Sequence, residues 1–253
     1  MAGSQTGGDA VIEIRKMTEL EEFRTAVQLQ KTIWGFADID LLPLRFFVVA
    51  SRVGGQVLGA FDGAHMIGFC LGIPGVKPTG HAYLHSHMLG VLPEYHNLGI
   101  GRRLKLQQRE DALARNLPLI EWTFDPLELK NAFLNIERLG AIVRRYSVNQ
   151  YGDTSSPLHG GLPTDRCYAE WWVDSPRVHA ILAGTHIQPN DVERIAFPAN
   201  IAQIRSEDSA RARAIQQTNA EKFQRAFARG LAVTGFTRND AEGIYLLEPW
   251  HEN

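Results

Sequence analysis

Two groups of residues in this chain could do chemistry. The first is His85-Ser86-His87, set in an apolar run. In a strand, alternate side chains share a face, so both imidazoles would point the same way. Imidazole titrates near neutrality, which suits it to take a proton from a substrate. The competing reading is a pair of core or solvent-facing histidines held by ordinary hydrogen bonds. A metal site would need a third ligand, and the local sequence offers none. The second group is Val91-Leu92-Pro93-Glu94-Tyr95-His96-Asn97-Leu98-Gly99-Ile100-Gly101-Arg102-Arg103-Leu104. An apolar run ends in a proline turn, and a glycine loop opens into a helix. Such a loop aims several backbone N–H groups at one spot, at the positive end of a helix dipole. That is an anion site suited to phosphate. It is not a Walker A loop, because the Gly-Lys-Ser/Thr ending is missing, nor a dinucleotide fingerprint, because its glycines come late.

The elements that must position these groups follow from periodicity and punctuation. Residues 11–15 alternate and predict a strand. Thr18 with Glu21 predicts a capping box and a helix to about Ile33. A second helix is expected over 42–53. Asp62-Gly63 between apolar runs predicts a hairpin of 56–61 with 65–71. Further strands are expected at 83–91, 119–124, 141–146 and 166–173, with helices at 101–116, 127–139 and 175–188. Residues 192–204 read as strand, 206–229 as an amphipathic helix, and 232–238 and 243–247 as strands. This order predicts a mixed α/β fold. Trp171 and Trp172 cannot face the same side of one strand, so one is expected to be exposed or covered by the C-terminal part. Residues 152–165 form a long loop rich in Gly, Ser and Pro, a length typical of functional loops.

The chain has 253 residues, 44% hydrophobic and 21% charged, with a formal net charge of −2. That fits a core large enough to stand alone and gives no basic field for nucleic acid. No stretch reaches the length of a membrane span. Two cysteines, Cys70 and Cys167, cannot build a disulfide framework and read as buried thiols. Residues 1–10 read as a disordered lead rather than a signal peptide, so a cytoplasmic protein is expected.

The loop resembles the acyl-CoA loop of the GNAT N-acyltransferase superfamily, whose pattern is Gln/Arg-x-x-Gly-x-Gly/Ala after a strand ending Val-x-Pro. Val91-Leu92-Pro93, Gly99 and Gly101 match, and His96 stands where Gln or Arg is usual. The element order over residues 11–175 is also similar. The resemblance implies a GNAT fold, with a central twisted mixed sheet and splayed middle strands. It implies acetyl-CoA or another acyl-CoA as co-substrate, and no metal. The backbone of Met88, Leu89, Gly90 and Val91 would take the pantetheine arm as an added strand, with the Leu89 N–H at the oxyanion. The N–H groups of Asn97, Leu98, Gly99, Ile100, Gly101 and Arg102 would hold the pyrophosphate, at the helix entry that His96 begins. Arg102, Arg103 and Lys105 would meet the ribose phosphate or form a solvated helix face. Asn131 and Asn135 would reach the pantetheine amides.

Acyl transfer to an amine requires a base, oxyanion stabilisation and protonation of the leaving thiolate. His85-x-His87 resembles the proton relay of the arylalkylamine N-acetyltransferases. Many GNAT enzymes carry a Tyr acid four residues before the Gly of Leu-Gly, but here that position is Ile136. Tyr146 and Tyr151 are the candidate replacements. Trp34, Tyr151, Asp165 and Arg166 are expected near the acceptor. Arg166 would clamp a carboxylate or pair with Asp165. Trp122-Thr123-Phe124-Asp125-Pro126 and Leu162-Pro163-Thr164-Asp165-Arg166 are similar to a GNAT subfamily that includes a succinyl-CoA-dependent N-acyltransferase of D-amino acids. The resulting expectation is transfer, acetyl by preference, to a small-molecule amine such as an amino acid. Succinyl transfer is the alternative within the class, and a non-catalytic acyl-CoA sensor or scaffold the alternative outside it. No nucleic acid or membrane partner is expected. The βαββ region 176–253 is not needed for a minimal domain and would pack on the sheet or form a homodimer contact.

Overall fold

The computed structural model describes residues 12–152 and 155–250. The expected N-terminal lead lies outside the described residues. The ten strands among the described residues form one mixed sheet, ordered β1-β2-β3-β4-β5-β7-β6-β9-β10-β8. In chain order the first half runs β1 (Glu13–Lys16), α1 (Leu20–Trp34), α2 (Leu44–Arg52), β2 (Gln56–Asp62), β3 (His65–Val76), β4 (Ala82–Val91), α3 (Ile100–Ala114) and β5 (Leu119–Phe124). The second half runs α4 (Leu129–Phe133), β6 (Ile142–Ser147), β7 (Arg166–Trp172), α5 (Pro176–Leu182), β8 (Glu193–Pro198), α6 (Ile201–Glu207), α7 (Ser209–Ala228), β9 (Leu231–Arg238) and β10 (Glu242–Pro249). The hairpin about Asp62-Gly63 forms as expected, with Gly63 at φ 58° in the left-handed turn position.

Three local readings are corrected. The first helix is boxed one residue later than expected. Glu19 and Glu22 form the reciprocal cap, and Glu22 Oε2 accepts from both the Thr18 and Glu19 N–H groups. Residues 192–204 are not all strand. Pro198 ends β8, and α6 then buries Ile201 and Ile204 on one face before Asp208 caps α7. Their spacing of three puts both on one helix face, where a strand would send them to opposite sides, and Pro198 separates them from β8. The helix expected over 127–139 is α4 followed by a π-helical turn, Leu134–Arg138, that closes on Gly140 at φ 81°.

Two apolar clusters meet at β4. One holds Phe47, Leu58 and Phe69 beneath α1 and α2; the other holds Trp171, Phe223 and Tyr245. Val91 belongs to the first and Leu84 to the second, so the core divides along the strand that carries the histidines. The C-terminal strands join this sheet through β9, which meets β6 at Val143–Val233.

Candidate active site

The site is built on the parting of β4 from β5. Their parallel pairing is confined to Leu84–Ile120 and His85–Glu121. Beyond that rung β4 stays paired with β3 on its other edge, through Met88–Leu71 to Val91–Gly68. The edge of residues 86–91 that faces β5 therefore keeps its backbone groups outside the ladder, a ready template for an extended ligand. A register shift between Leu71 and Gly72 leaves His87 as the extra residue of a bulge in β4.

The bulge keeps both imidazoles on one face. The His85 and His87 rings lie 5.9 Å apart, and His87 lies 6.3 Å from the Phe46 ring on α2. Burial pushes His85 down to about 4, helped by His87 beside it, and burial also lowers His87. Both are thus neutral at pH 7, with a lone pair available. Ser86 points to the opposite face, where its Oγ donates to Gln108 Oε1 of α3 at 2.9 Å.

At the far end of β4 a short 3-10 turn, Pro93–Tyr95, leads into the loop. Asn97 (φ 64°) and Gly99 (φ 76°) are both left-handed, and Gly99 caps α3 with no side-chain cap. Alternation of left- and right-handed residues curls successive N–H groups into a concavity that fits phosphate oxygens, and the dipole of the 15-residue α3 adds to it. His96 and Tyr95 brace this loop. His96 Nε2 bonds the Val91 carbonyl at 2.9 Å, and Tyr95 donates to Asp62. Arg102 reaches across to the Arg138 carbonyl near α4, and Arg103 donates to the Ile12 carbonyl. Lys105 does not join them on a solvated face. It is buried against the sheet, 3% exposed. Asn131 is exposed on α4, while Asn135 and Ile136 are buried in the π-helical turn.

Trp34 packs over Gly90, where a Cβ would come within 2.7 Å of its ring. The loop between β6 and β7 is tied to the α1–α2 connection. The Ser155 N–H and Oγ both donate to Asp40, and Ser156 donates to the Trp34 carbonyl. Tyr151 is half-exposed and meets Thr123 of β5 at 2.7 Å, which brings it to the open strands. The Arg166 guanidinium lies 5.3 Å from the Tyr151 ring. It donates to the Asp165 carbonyl, and among the described residues no carboxylate pairs with it.

Asp165 and Tyr146 sit elsewhere. Asp165 is buried, accepting from the Tyr146 hydroxyl at 2.7 Å and from the Asn149 N–H, so it closes the base of the loop rather than facing an acceptor. Tyr146 stacks on Phe223, and burial together with nearby Cys167 and Asp165 raises its pKa far above the usual range. It stands on β6, two strands beyond β5 and roughly 10 Å from the opening. At that distance, and with its hydroxyl already donating to Asp165, it offers no proton at the opening.

Sequence reasoning missed a charged floor on the histidine face. Glu121 and Glu170 are cross-strand neighbours, both 3% exposed. Lys77 and Arg145 each meet Glu121 at 2.5 Å, and Arg144 meets Glu170 at 2.7 Å. Alternation along β5 and β7 places them on the His85 face, but only the register shows that they face each other. They floor a cavity of about 1050 Å³, walled by Tyr83, Trp172, Phe227 and Trp250. Trp172 is the exposed member of its pair, while Trp171 is buried with Nε1 donating to the Leu139 carbonyl. Among the described residues no group of three or more His, Cys, Asp or Glu stands ready to hold a metal, and no helix is long and apolar enough to cross a membrane.

The profile of the acetyltransferase (GNAT) family matches residues 18–134. Among curated proteins no sequence matches the chain. Among solved structures, the ribosomal-protein-S18-alanine N-acetyltransferase from Escherichia coli is 14% identical, with a TM-score of 0.51 over 65% of this chain and 96% of that one. The aminoglycoside 6'-acetyltransferase type Ii is 16% identical, with a TM-score of 0.50 over 64% and 98%. At such identities the likeness is one of fold. The profile match spans the capped first helix, the parted strands and the phosphate-type loop, and on this basis residues 18–134 are a GNAT acetyltransferase domain.

Proposed function

We propose that this protein moves an acyl group, acetyl by preference, directly from CoA to the amine of a small molecule such as an amino acid. The observation that carries the reading is the pair of neutral imidazoles at the rung where β4 leaves β5, beside a cavity with a charged floor. Bound CoA would supply the activated thioester carbonyl. The N–H groups of the Asn97–Gly99 turn and the start of α3 would hold its pyrophosphate. The free edge of residues 88–91 would take the pantetheine amides, with Asn131 and Asn135 on the other flank, and the Leu89 N–H would face the developing oxyanion.

The acceptor would arrive on the other face, beside the histidines. A base near pKa 4 cannot keep the proton of an alkylammonium, so His85 and His87 would pass it to water. Three cations (Lys77, Arg144 and Arg145) against two carboxylates leave the cavity floor one charge positive. That balance favours an acceptor carrying a carboxylate. Arg166, without a carboxylate partner among the described residues, supports a second reading in which the acyl chain itself ends in a carboxylate, as in succinyl transfer.

Thiol release from acetyl-CoA and succinyl-CoA over a panel of D- and L-amino acids tests both. Amine-dependent release with one donor is expected. Tight CoA binding without turnover on any amine would overturn the enzymatic reading in favour of an acyl-CoA sensor.

A further inference from the structure

Lys105 is a buried lysine packed against the sheet. Its ammonium donates to Ser86 Oγ at 2.8 Å and lies 3.6 Å from the centre of the Trp122 ring. Cys70 of β3 and Gln108 of α3 complete its surroundings, and among the described residues no Asp or Glu forms an ion pair with it. Cys70 does not neutralise it, because burial raises that thiol and keeps it protonated. An unpaired buried ammonium is costly, and a leucine or methionine would fill the same space at no such cost. The placement tells what the charge is for. Ser86 and Trp122 are the first side chains past the last β4–β5 rung on the face opposite the imidazoles. Lys105 thus lies under the apex of the opening, about one helical turn below the anion loop at Gly101. On the opposite flank the π-helical turn after α4 holds Ile136, a fully buried hydrocarbon with no proton to give.

We propose that Lys105, acting through the Ser86 hydroxyl, supplies the proton taken up by the departing CoA thiolate. The inference rests on the reading of the opening as the thioester site. As the amine nitrogen bonds to the acyl carbon, the C–S bond breaks and its electron pair goes to sulfur. Sulfur takes the Ser86 hydrogen, which swings away from Gln108 Oε1 to reach it, and Ser86 takes one from the Lys105 ammonium. The neutral lysine recovers a proton from solvent after the products leave. The proton lost by the acceptor ammonium leaves on the histidine face, so the sum is amide, CoA thiol and one proton in water. Burial brings the ammonium down to about 8, close to the range where it both carries and releases a proton at neutral pH.

The test uses CoA itself, with the thiolate followed by its ultraviolet absorbance as pH is varied. In the native protein the bound thiol should be at least about tenfold more acidic than free CoA, because a nearby ammonium favours the thiolate. Lys105→Met should return it to the value of free CoA while CoA affinity stays within about threefold, since the loop N–H groups are untouched. Equal thiol acidity in both proteins, with CoA bound to each, would overturn the proposal. Failure of the native protein to bind CoA would instead sink the donor-site reading beneath it. If Lys105→Met does not fold, lysine-detected NMR of the native protein answers the same question. The Lys105 titration should move up with CoA and stay put with an analogue lacking the sulfur; equal shifts with both ligands would refute the proposal.

Discussion

His85 and Glu121 form the last rung between β4 and β5, and past them the two strands part. One residue pair thereby sets three things. It ends the hydrogen-bond ladder, aims an imidazole at the open face, and places a buried carboxylate next to it. The free strand edge, the base and the charged cavity floor all start from this rung.

Replacing both His85 and His87 with Ala should lower the amine-dependent rate by about 10²–10⁴-fold, the usual worth of a positioned proton acceptor. With an acceptor amine of low pKa, which needs no deprotonation at pH 5 to 8, the native rate should stay level until His85 itself protonates near pH 4. A break near 6.5 would show that burial does not depress the imidazole. A pH–rate profile of kcat/KM decides.

The two loop glycines should respond differently. Gly99 has φ 76°, so Gly99→Ala strains the backbone by roughly 1 kcal/mol and should weaken both folding and CoA binding. Gly101 lies in the helix, and a Cβ there would meet only Leu89 Cδ2 at 3.5 Å. Gly101→Ala should fold at native stability or slightly above, yet lose CoA affinity because the methyl group crowds the phosphate approach. Chemical denaturation and calorimetric titration with CoA read the two effects apart.

Stability should fall as pH drops from about 6.5 to 4. His85 and His159 both have folded pKa values pushed down to about 4, chiefly by burial. In that window the unfolded chain binds protons that the folded chain refuses, so acid favours unfolding. Asp125 opposes the trend, since burial raises it to about 6 and its folded form holds a proton longer. His85→Gln should flatten the loss of Tm between pH 7 and 4.5, and Asp125→Asn should steepen it. An unchanged slope in both variants would contradict the assignment.

The charged floor is asymmetric. Glu121 serves both Lys77 and Arg145, and its own side chain is 4% exposed, whereas Lys77 is 25% exposed. Glu121→Gln should cost about 2–4 kcal/mol by leaving two cations facing each other, while Lys77→Met should cost under about 1 kcal/mol because Arg145 still neutralises Glu121. Urea denaturation of the two variants measures the difference.

The residues that punctuate the chain were readable in order. Asp62-Gly63 makes the hairpin, Gly99 turns the loop into α3, and the alternation of His85 with His87 survives in the folded strand. Such features depend on local backbone preference and on period, both written in neighbouring residues. The cap at Glu19 rather than Thr18 turned on a choice that local spacing leaves balanced, whereas the helix of Ile201 and Ile204 follows from their spacing of three.

The tertiary structure decided the rest, because it concerns residues far apart in the chain. Lys105 belongs to the buried stripe set by Ile100, Leu104 and Ala112, yet its type alone reads as solvated surface; only β4 and β5 beneath it give the ammonium its Ser86 and Trp122 contacts. Tyr146 and Tyr151 are similar in sequence terms, but sheet order sends one to Asp165 and the other to Thr123. The parting of β4 and β5 is a property of two strands whose ladder stops, and no single stretch of residues encodes where that happens.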